Sequence, residues 1–381
     1  MNSKVSESKR IEYIDSLKGF AIILVVLGHV TDGYFFSRFN PAADDIFWPI
    51  CNVIYAFHMP LMMLISGYLF FAAYIKRDAE KNVTVKWKRL LIHILNMIFI
   101  YIVFSLVFGF IKMKLAGVVT DSVTADDLKG IFVKSISPFW YLYVLIAFSV
   151  VTPFIIKLAA MSSIPKGLNP TFPVVILGLV LNIYANIELT INDNRFELYR
   201  LCYFYIFFAA GLLVRSLDGG AARSRDDGEK AREDGASEKR AVPTAVICII
   251  SLILMAGGIA IIAYLWDDVL KIYTYTVPHF NTLAAALISA SIWLTARYII
   301  PAAKVKWLAV PGRYTLEIYV THTLFTSFIR HIFVKLGYRE PISCILINTA
   351  VTLAVIMLAI YVTDKIKIRD IVFRPFKKIG S

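Results

Sequence analysis

Long apolar blocks separated by short polar segments are the feature that most limits how this chain can fold. About 20 consecutive apolar residues are what an α-helix needs to cross the ~30 Å hydrocarbon layer of a bilayer. Blocks of that length recur along the 381 residues, of which 58% are apolar and 18% are charged. A soluble globular protein has roughly 45–50% apolar and about 25% charged residues. The sequence therefore predicts an all-α, polytopic integral membrane protein.

We predict about ten transmembrane helices in a single membrane domain that covers residues 1–381. The spans run from about Ile14 to Phe36 and Ile46 to Tyr74, then, after a basic loop from Ile75 to Arg89, to about Met113. The later spans run from about Phe139 to Ala160, Phe172 to Ile191, Leu198 to Val214, Val242 to Trp266, Pro278 to Ile300, Tyr314 to Leu336 and Ile342 to Val362. The segment 215–240 carries seven basic and seven acidic residues. The rest of that segment is mostly Gly, Ala and Ser and has little to bury, so we expect a mobile cytoplasmic loop there.

The distribution of basic residues indicates the orientation in the membrane. Ten spans put both termini on one side, and the segments on that side hold 29 of the 40 Lys and Arg residues, against 11 on the other side. Basic segments are retained in the cytoplasm. We therefore expect both termini to be cytoplasmic and the protein to lie in the inner (cytoplasmic) cell membrane, with membrane lipids as partners. No recognition motif accompanies the basic residues, so we expect no nucleic acid partner.

Ionisable residues at membrane depth are costly and mark candidate functional sites. His29 lies roughly 16 Å beyond Lys18 at 1.5 Å per helical residue, and it is the only ionisable side chain in the body of its span. Imidazole is a competent base near neutral pH. Asp32, three residues on, shares a helical face with His29 and either orients the imidazole or is an ordinary interfacial carboxylate. His93 and His331 are interpreted as packing residues.

Several catalytic classes lack their sequence motifs. There is no G-x-S-x-G elbow, no H-E-x-x-H pair and no P-loop, and no histidine is followed five residues later by aspartate. The four cysteines form no C-x-x-C pair, and we expect no metal site. These absences leave a histidine within the bilayer and a basic cytoplasmic rim as the features that need a function.

The segment RIEYIDSLKGFAIILVVLGHV, which contains Lys18 and His29, resembles the first helix of the membrane acyltransferase-3 family. That family includes sugar and polysaccharide O-acetyltransferases, among them fucose 4-O-acetylase-like proteins, and it shows a basic residue, ten intervening residues and a histidine. Further blocks resemble the family in order along the chain: FHMPLMMLISGYLF (Phe57–Phe70), VKWKRLL with Lys86 and Arg89, FWYLYVLIAF (Phe139–Phe148) and YTLEIYVTHTLF (Tyr314–Phe325). The resemblance spans most of the chain.

The resemblance implies an integral membrane O-acyltransferase that performs O-acetylation. It would move an acyl group, acetyl in the first instance, from acetyl-CoA or another acyl-CoA to a hydroxyl of a sugar or glycan, free or lipid-linked. His29 would be the catalytic base, either as a proton acceptor alone or as a transient acyl carrier, with Asp32 beside it.

The remaining site residues follow from the same resemblance. Lys18, Lys86, Lys88 and Arg89 would bind the phosphates of the donor, although composition alone interprets these residues as ordinary topology-setting charge. At positions 18 and 86 lysine stands where arginine is common in the family, which keeps the charge and gives up bidentate geometry. The substrate cavity would be lined by His58, Trp140, Glu317, Tyr319 and His322.

A function from a different class also fits the intramembrane histidines. A proton-coupled transporter or exporter of a polar or lipid-linked substrate would use them as proton relays. A transferase releases free coenzyme A, whereas a transporter moves its substrate without a thioester. A membrane scaffold is the weakest alternative, because it needs no buried histidine.

Overall fold

The computed structural model describes residues 12–37, 39–40, 44–77, 83–114, 123–161, 169–188, 195–232, 244–264, 278–299 and 306–376. Within these ranges the chain is almost entirely α-helical. The helices are α1 (Glu12–Phe36), α2 (Asp44–Tyr74), α3 (Trp87–Lys114), α4 (Ala125–Lys129), α5 (Trp140–Met161), α6 (Phe172–Ile187), α7 (Leu198–Arg232), α8 (Thr244–Tyr264), α9 (Pro278–Leu294), α10 (Lys306–Gly312), α11 (Thr315–Leu336), α12 (Pro341–Lys365) and α13 (Ile368–Phe373).

The ten predicted spans each correspond to one long helix. In the described ranges, eight helices are long and apolar enough to cross a membrane: α1, α2, α3, α5, α7, α8, α9 with its π-helical extension Thr295–Ile299, and α12. The other two predicted spans are α6, which has 16 residues, and α11, whose apolar run is interrupted by Glu317, His322 and Arg330. The prediction of an all-α, polytopic membrane protein is confirmed.

Two segments that the sequence predicts as loops contain regular structure. Residues 75–89 include an antiparallel hairpin of β1 (Ile75–Arg77) and β2 (Val83–Val85), in which Ile75 pairs with Val85. Helix α7 continues to Arg232, which differs from the loop expected over 215–240, and residues 233–240 lie outside the described ranges. Ala, Glu, Lys and Arg are strong helix formers, so a charged segment can extend a helix after its apolar part ends.

Glycines allow close contacts of α2 with α7 and of α1 with α10. Helix α2 is central, with 72% of its most apolar stretch buried, against 17% for the peripheral α8. A Cβ atom at Gly67 of α2 would lie 1.9 Å from the backbone oxygen of Phe208 in α7, and one at Gly19 of α1 would lie 1.7 Å from that of Leu308 in α10. Small residues at such crossings let membrane helices pack backbone against backbone.

The helices define two ends of the bundle, here called the basic end and the mouth end. At the basic end, α1, α3 and α11 begin and α12 ends, and this end holds Lys18, Arg89 and Lys365. At the mouth end, α1 and α3 finish near Phe36 and Lys112, and α7 begins. The candidate site lies toward the mouth end.

Candidate active site

A cavity of about 460 Å³ lies between the helices toward the mouth end, walled by α1, α2, α3, α5, α7, α9 and α11. Five of the residues singled out from the sequence line it: His29, Asp32, His58, Trp140 and Tyr319. The volume falls within the roughly 300–1,000 Å³ of small-molecule sites. This cavity is therefore the candidate active site.

His29 reaches the cavity from α1 and meets two other helices there. Its Nδ1 lies 3.3 Å from the hydroxyl oxygen of Tyr55 on α2, and its ring centroid lies 4.9 Å from that of His322 on α11. Tyr55 also lines the cavity, and its ring centroid lies 4.8 Å from that of His58. Two histidines from different helices, His29 and His58, thus line the cavity, and the ring of a third, His322, lies next to that of His29.

The hydrogen bonds of His58 and His322 define their tautomers. The Nδ1 of His58 lies 2.7 Å from the backbone oxygen of Ile54, and the Nδ1 of His322 lies 2.7 Å from that of Tyr319. A carbonyl oxygen only accepts hydrogen bonds, so each Nδ1 carries a proton and each neutral ring keeps Nε2 as its acceptor. His322 is fully buried and lies behind His29 instead of lining the cavity as the sequence predicts.

Asp32 lies on the cavity wall one turn beyond His29. The Sγ of Cys51 lies 3.9 Å from its Oδ1, and Asp32 is one of the charges that act on the Arg330 guanidinium of α11. Gly33 makes room for that guanidinium, because a Cβ atom there would lie 1.9 Å from Arg330 Nη1. Asp32 thus links α1 to α2 and α11, and its role in orienting His29 stays a prediction.

Three cations from different helices surround the cavity near the mouth end: Lys112, Arg200 and Arg330. The guanidinium carbon of Arg200 lies 5.0 Å from the ring centroid of Trp140, and the same guanidinium forms an ion pair with the buried Glu197. Arg200 is therefore held over the indole by both a cation–π contact and a carboxylate. The entrance to the cavity combines an aromatic surface with fixed positive charge.

A second cavity of about 360 Å³ adjoins the first one and shares Lys112, Trp140 and Arg200 with it. Asp127 of the short helix α4 lines its outer side. Hydrogen bonds from the Thr124 side chain and backbone hold the pKa of the Asp127 carboxyl below its usual range. The carboxylate is thus ionised at neutral pH, and the mouth end presents both signs of charge.

The residues predicted to bind the donor lie at the other end of the bundle. Lys86, Lys88 and Arg89 are exposed where the hairpin leads into α3, and Arg89 is about 35 Å along α3 from Lys112 at 1.5 Å per residue. Lys18 lies at the same end on α1. The structure does not bring these four residues to the cavity.

Glu317 and Tyr319, neighbours on α11, have different surroundings. Glu317 is buried near the basic end, where its Oε1 lies 2.9 Å from Arg369 Nε of α13, and it does not line the cavity. Tyr319 lines the cavity and donates a hydrogen bond from its hydroxyl to the backbone oxygen of Pro138. The carboxylate of Glu317 therefore has a structural partner away from the histidines, in contrast to its predicted place on the acceptor side.

Tyr55, Lys112, Arg200 and Arg330 line the cavity although the sequence reasoning does not single them out. Lys112 and Arg200 stand at span ends, where they only contribute to the topology count, and Tyr55 is one of 20 tyrosines. Arg330 lies six positions inside the end of a predicted span, and a basic residue at such a depth is a sequence signal for a functional site. In the described part of the chain, no group of three or more His, Cys, Asp or Glu side chains is placed to hold a metal ion.

Comparisons with known proteins give this cavity a family context. The acyltransferase-3 family, described as an acyltransferase domain, matches residues 11–363. Nodulation protein NolL of Sinorhizobium fredii is 49% identical over 57 residues, or 14% of each chain. Nodulation protein NolL of Mesorhizobium japonicum is 36% identical over 83 residues, or 21% of each chain.

These matches cover less than a quarter of either curated relative, and no solved structure matches the chain. The family match, in contrast, covers nearly the whole chain and includes every site residue named above except Arg369. It confirms the resemblance carried by Lys18, His29 and the later blocks. This chain belongs to the acyltransferase-3 family of membrane proteins.

Proposed function

We propose that this protein is an integral membrane O-acyltransferase that moves an acyl group, acetyl in the first instance, from an acyl-CoA to a hydroxyl of a sugar or glycan. The observation that carries the proposal is the position of His29, which reaches a cavity of substrate size within an acyltransferase domain. A transporter would also use buried histidines, but the family match favours the transferase.

In the proposed reaction, His29 accepts one proton and later donates one proton. Its imidazole takes the proton of the acceptor hydroxyl while the hydroxyl oxygen bonds to the carbonyl carbon of the thioester. The carbon–sulfur bond then breaks, and the imidazolium returns the proton to the departing sulfur. The products are the O-acyl ester and free coenzyme A, so atoms and charge balance.

We propose that donor and acceptor approach His29 from opposite ends of the bundle. Lys18, Lys86, Lys88 and Arg89 at the basic end supply the positive charge that coenzyme A phosphates require. The acyl thioester then has to extend roughly 16 Å along α1 from Lys18 to His29. The orientation predicted from the basic residues makes this end cytoplasmic, together with both termini and the 215–240 segment.

The acceptor enters, in this proposal, at the mouth end. The indole of Trp140 and the polar groups around it suit a sugar ring, whose hydroxyls need hydrogen-bond partners and whose C–H faces pack on aromatic rings. Lys112 and Arg200 suit a negatively charged glycan or the phosphate of a lipid-linked one. A free and a lipid-linked acceptor would both reach His29 through this opening.

The test is acyl transfer and thioester cleavage by purified His29→Ala and His29→Gln variants. General-base catalysis contributes typically 10²–10⁴-fold, so we expect a loss of about that size in both variants. His93→Gln is the matched control. His93 lies on α3, its ring stacks on that of Tyr74 with 5.0 Å between the ring centroids, and it does not line the cavity. Activity within about threefold of the parent in either His29 variant would remove the base assignment.

A further inference from the structure

The second ring nitrogen of His322 is a buried acceptor with a free lone pair. His322 has no exposed surface, and its Nδ1 lies 2.7 Å from the backbone oxygen of Tyr319 and 3.2 Å from that of Ile318. Those two carbonyls fix the proton on Nδ1. Among the residues that the structure describes, no donor forms a hydrogen bond with Nε2. A buried acceptor of this kind is costly unless a donor serves it at some stage of the reaction.

The imidazole ring of the proposed base lies beside the His322 ring. The ring centroids of His29 and His322 are 4.9 Å apart with an interplanar angle of 53°. The Nδ1 of His29 is directed to the Tyr55 hydroxyl. The Nε2 of His29 is therefore the ring nitrogen that could bond to His322. Catalytic hydrogen bonds are often long or poorly aligned before substrate binds and tighten in the reactive complex. A centroid separation of 4.9 Å is short enough for the two Nε2 atoms to reach hydrogen-bonding distance when the rings turn toward each other.

We propose that His322 is a positioning residue that sets the tautomer of His29. The Nε2 of His322 accepts a hydrogen bond from the Nε2–H of His29, which leaves the lone pair of His29 on Nδ1, toward Tyr55 and the cavity. This inference rests on His29 being the base. The acceptor hydroxyl displaces the Tyr55 hydroxyl from Nδ1 and gives its proton to that nitrogen. The Nε2–H of His29 stays bonded to His322, which stabilises the imidazolium without receiving the proton.

The arrangement does with a neutral imidazole what a carboxylate does in a Ser-His-Asp triad, where the third group fixes the tautomer and orientation of the base. In the triad the carboxylate charge orients the base. Here the backbone carbonyls of Ile318 and Tyr319 fix the tautomer of His322, and His322 in turn fixes that of His29. A neutral partner also avoids a buried charge beside the base. The chain of donors and acceptors therefore runs from the α11 backbone through His322 to His29 and into the cavity.

Two substitutions of His322 separate this role from simple packing. In His322→Asn, the side-chain amide reproduces the Nδ1 donor to Tyr319 but leaves no acceptor at the Nε2 position. In His322→Gln, the longer side chain carries its amide oxygen to the Nε2 position. We expect kcat to fall about 10²-fold or more in the Asn variant, within the 10²–10⁴-fold that a base contributes, and to stay within about tenfold of the parent in the Gln variant. The KM for acyl-CoA should change little in either.

A combined variant tests whether His322 acts through His29. In the His29→Gln background, His322→Asn should cause almost no further loss, because the residue that it positions is already gone. A residue that only packs would instead cause similar losses in both backgrounds. An Asn variant as active as the parent, or independent losses in the combined variant, would overturn the inference while a strong His29→Gln defect leaves the proposed function intact.

The tautomer of His29 can also be read directly in the unsubstituted protein, which does not depend on how any His322 variant folds. Imidazole ¹⁵N chemical shifts distinguish a protonated from an unprotonated ring nitrogen, and the chain has six histidines to label. The His29 signal is assigned as the one that disappears in His29→Gln. A proton on Nε2 with Nδ1 unprotonated supports the proposal, and the reverse tautomer overturns it.

Discussion

Replacing Gly67 by alanine tests whether the α2–α7 seam holds two walls of the cavity together. The added Cβ would lie 1.9 Å from the backbone oxygen of Phe208, whereas real Cβ atoms essentially never approach another atom within 3.0 Å. The helices must therefore separate by at least about 1.1 Å at this point, since no side-chain rotation moves a backbone carbonyl. Across the same seam, a Cβ atom at Gly211 would lie 2.0 Å from the backbone oxygen of Leu64. Overpacking typically costs about 1–3 kcal/mol, so we expect a clear loss of stability.

The assay is thermal unfolding of the detergent-purified protein, followed by acyl transfer at a temperature where both proteins are folded. Gly257→Ala on α8 is the control, because its Cβ would meet only Leu287 at an ordinary 3.6 Å. Alanine is a better helix former than glycine by up to about 1 kcal/mol, so the control should be neutral or stabilising. Equal unfolding temperatures for the two variants would refute the close-packed seam, and with it the reasoning that α2 and α7 position the cavity residues.

Three further outcomes follow from the charges. Arg89→Ala should raise the KM for acyl-CoA by up to about fivefold, because exposed ion pairs contribute roughly 0–1 kcal/mol. The effect should shrink with added salt, and an equal rise in Lys365→Ala at the same end would argue against a specific donor site. Glu317→Ala should lower the free energy of unfolding, because the Arg369 guanidinium loses one of its two carboxylate partners and keeps only Asp364. Removing the side chains of both Glu317 and Arg369 should cost less than the sum of the single losses. Reporter fusions at either terminus or within 215–240 should report the cytoplasm, and an external signal would contradict the predicted orientation.

Hydropathy predicts the long helices well because a membrane span needs a continuous apolar stretch. Span ends at Phe36 and Tyr74 agree with those of α1 and α2. The same reasoning misses the hairpin within 75–89 and the continuation of α7 to Arg232. Those segments are polar, so their structure depends on backbone hydrogen bonds and helix propensity. A hydropathy pattern contains no information on either factor.

The site was only partly predictable, because its contacts join residues far apart in the chain. His29 and Asp32 share one face of one helix, a relation that spacing alone reveals. The position of Arg330 over Gly33 depends on how α1 meets α11, which no local pattern encodes. The same limit explains Glu317, which the sequence places in the cavity and which the fold instead pairs with Arg369 from α13.

The distance between the basic end and His29 leads to one further prediction. Between Lys18 and Asp32, His29 is the only ionisable residue on α1, and an imidazole, a thioester and a hydroxyl are all neutral before they react. The phosphates of coenzyme A can thus remain at the basic end, and no charged group has to enter the bilayer interior. In the proposed reaction, donor affinity and turnover therefore depend on groups that are too far apart to couple. The fold losses in kcat/KM from Arg89→Ala and His29→Gln should therefore multiply in the double variant, since distant sites act independently. The losses from substitutions at His29 and His322 should not multiply. A strong coupling between Arg89 and His29 would contradict the two-ended arrangement and favour a donor that binds with its phosphates at the mouth end.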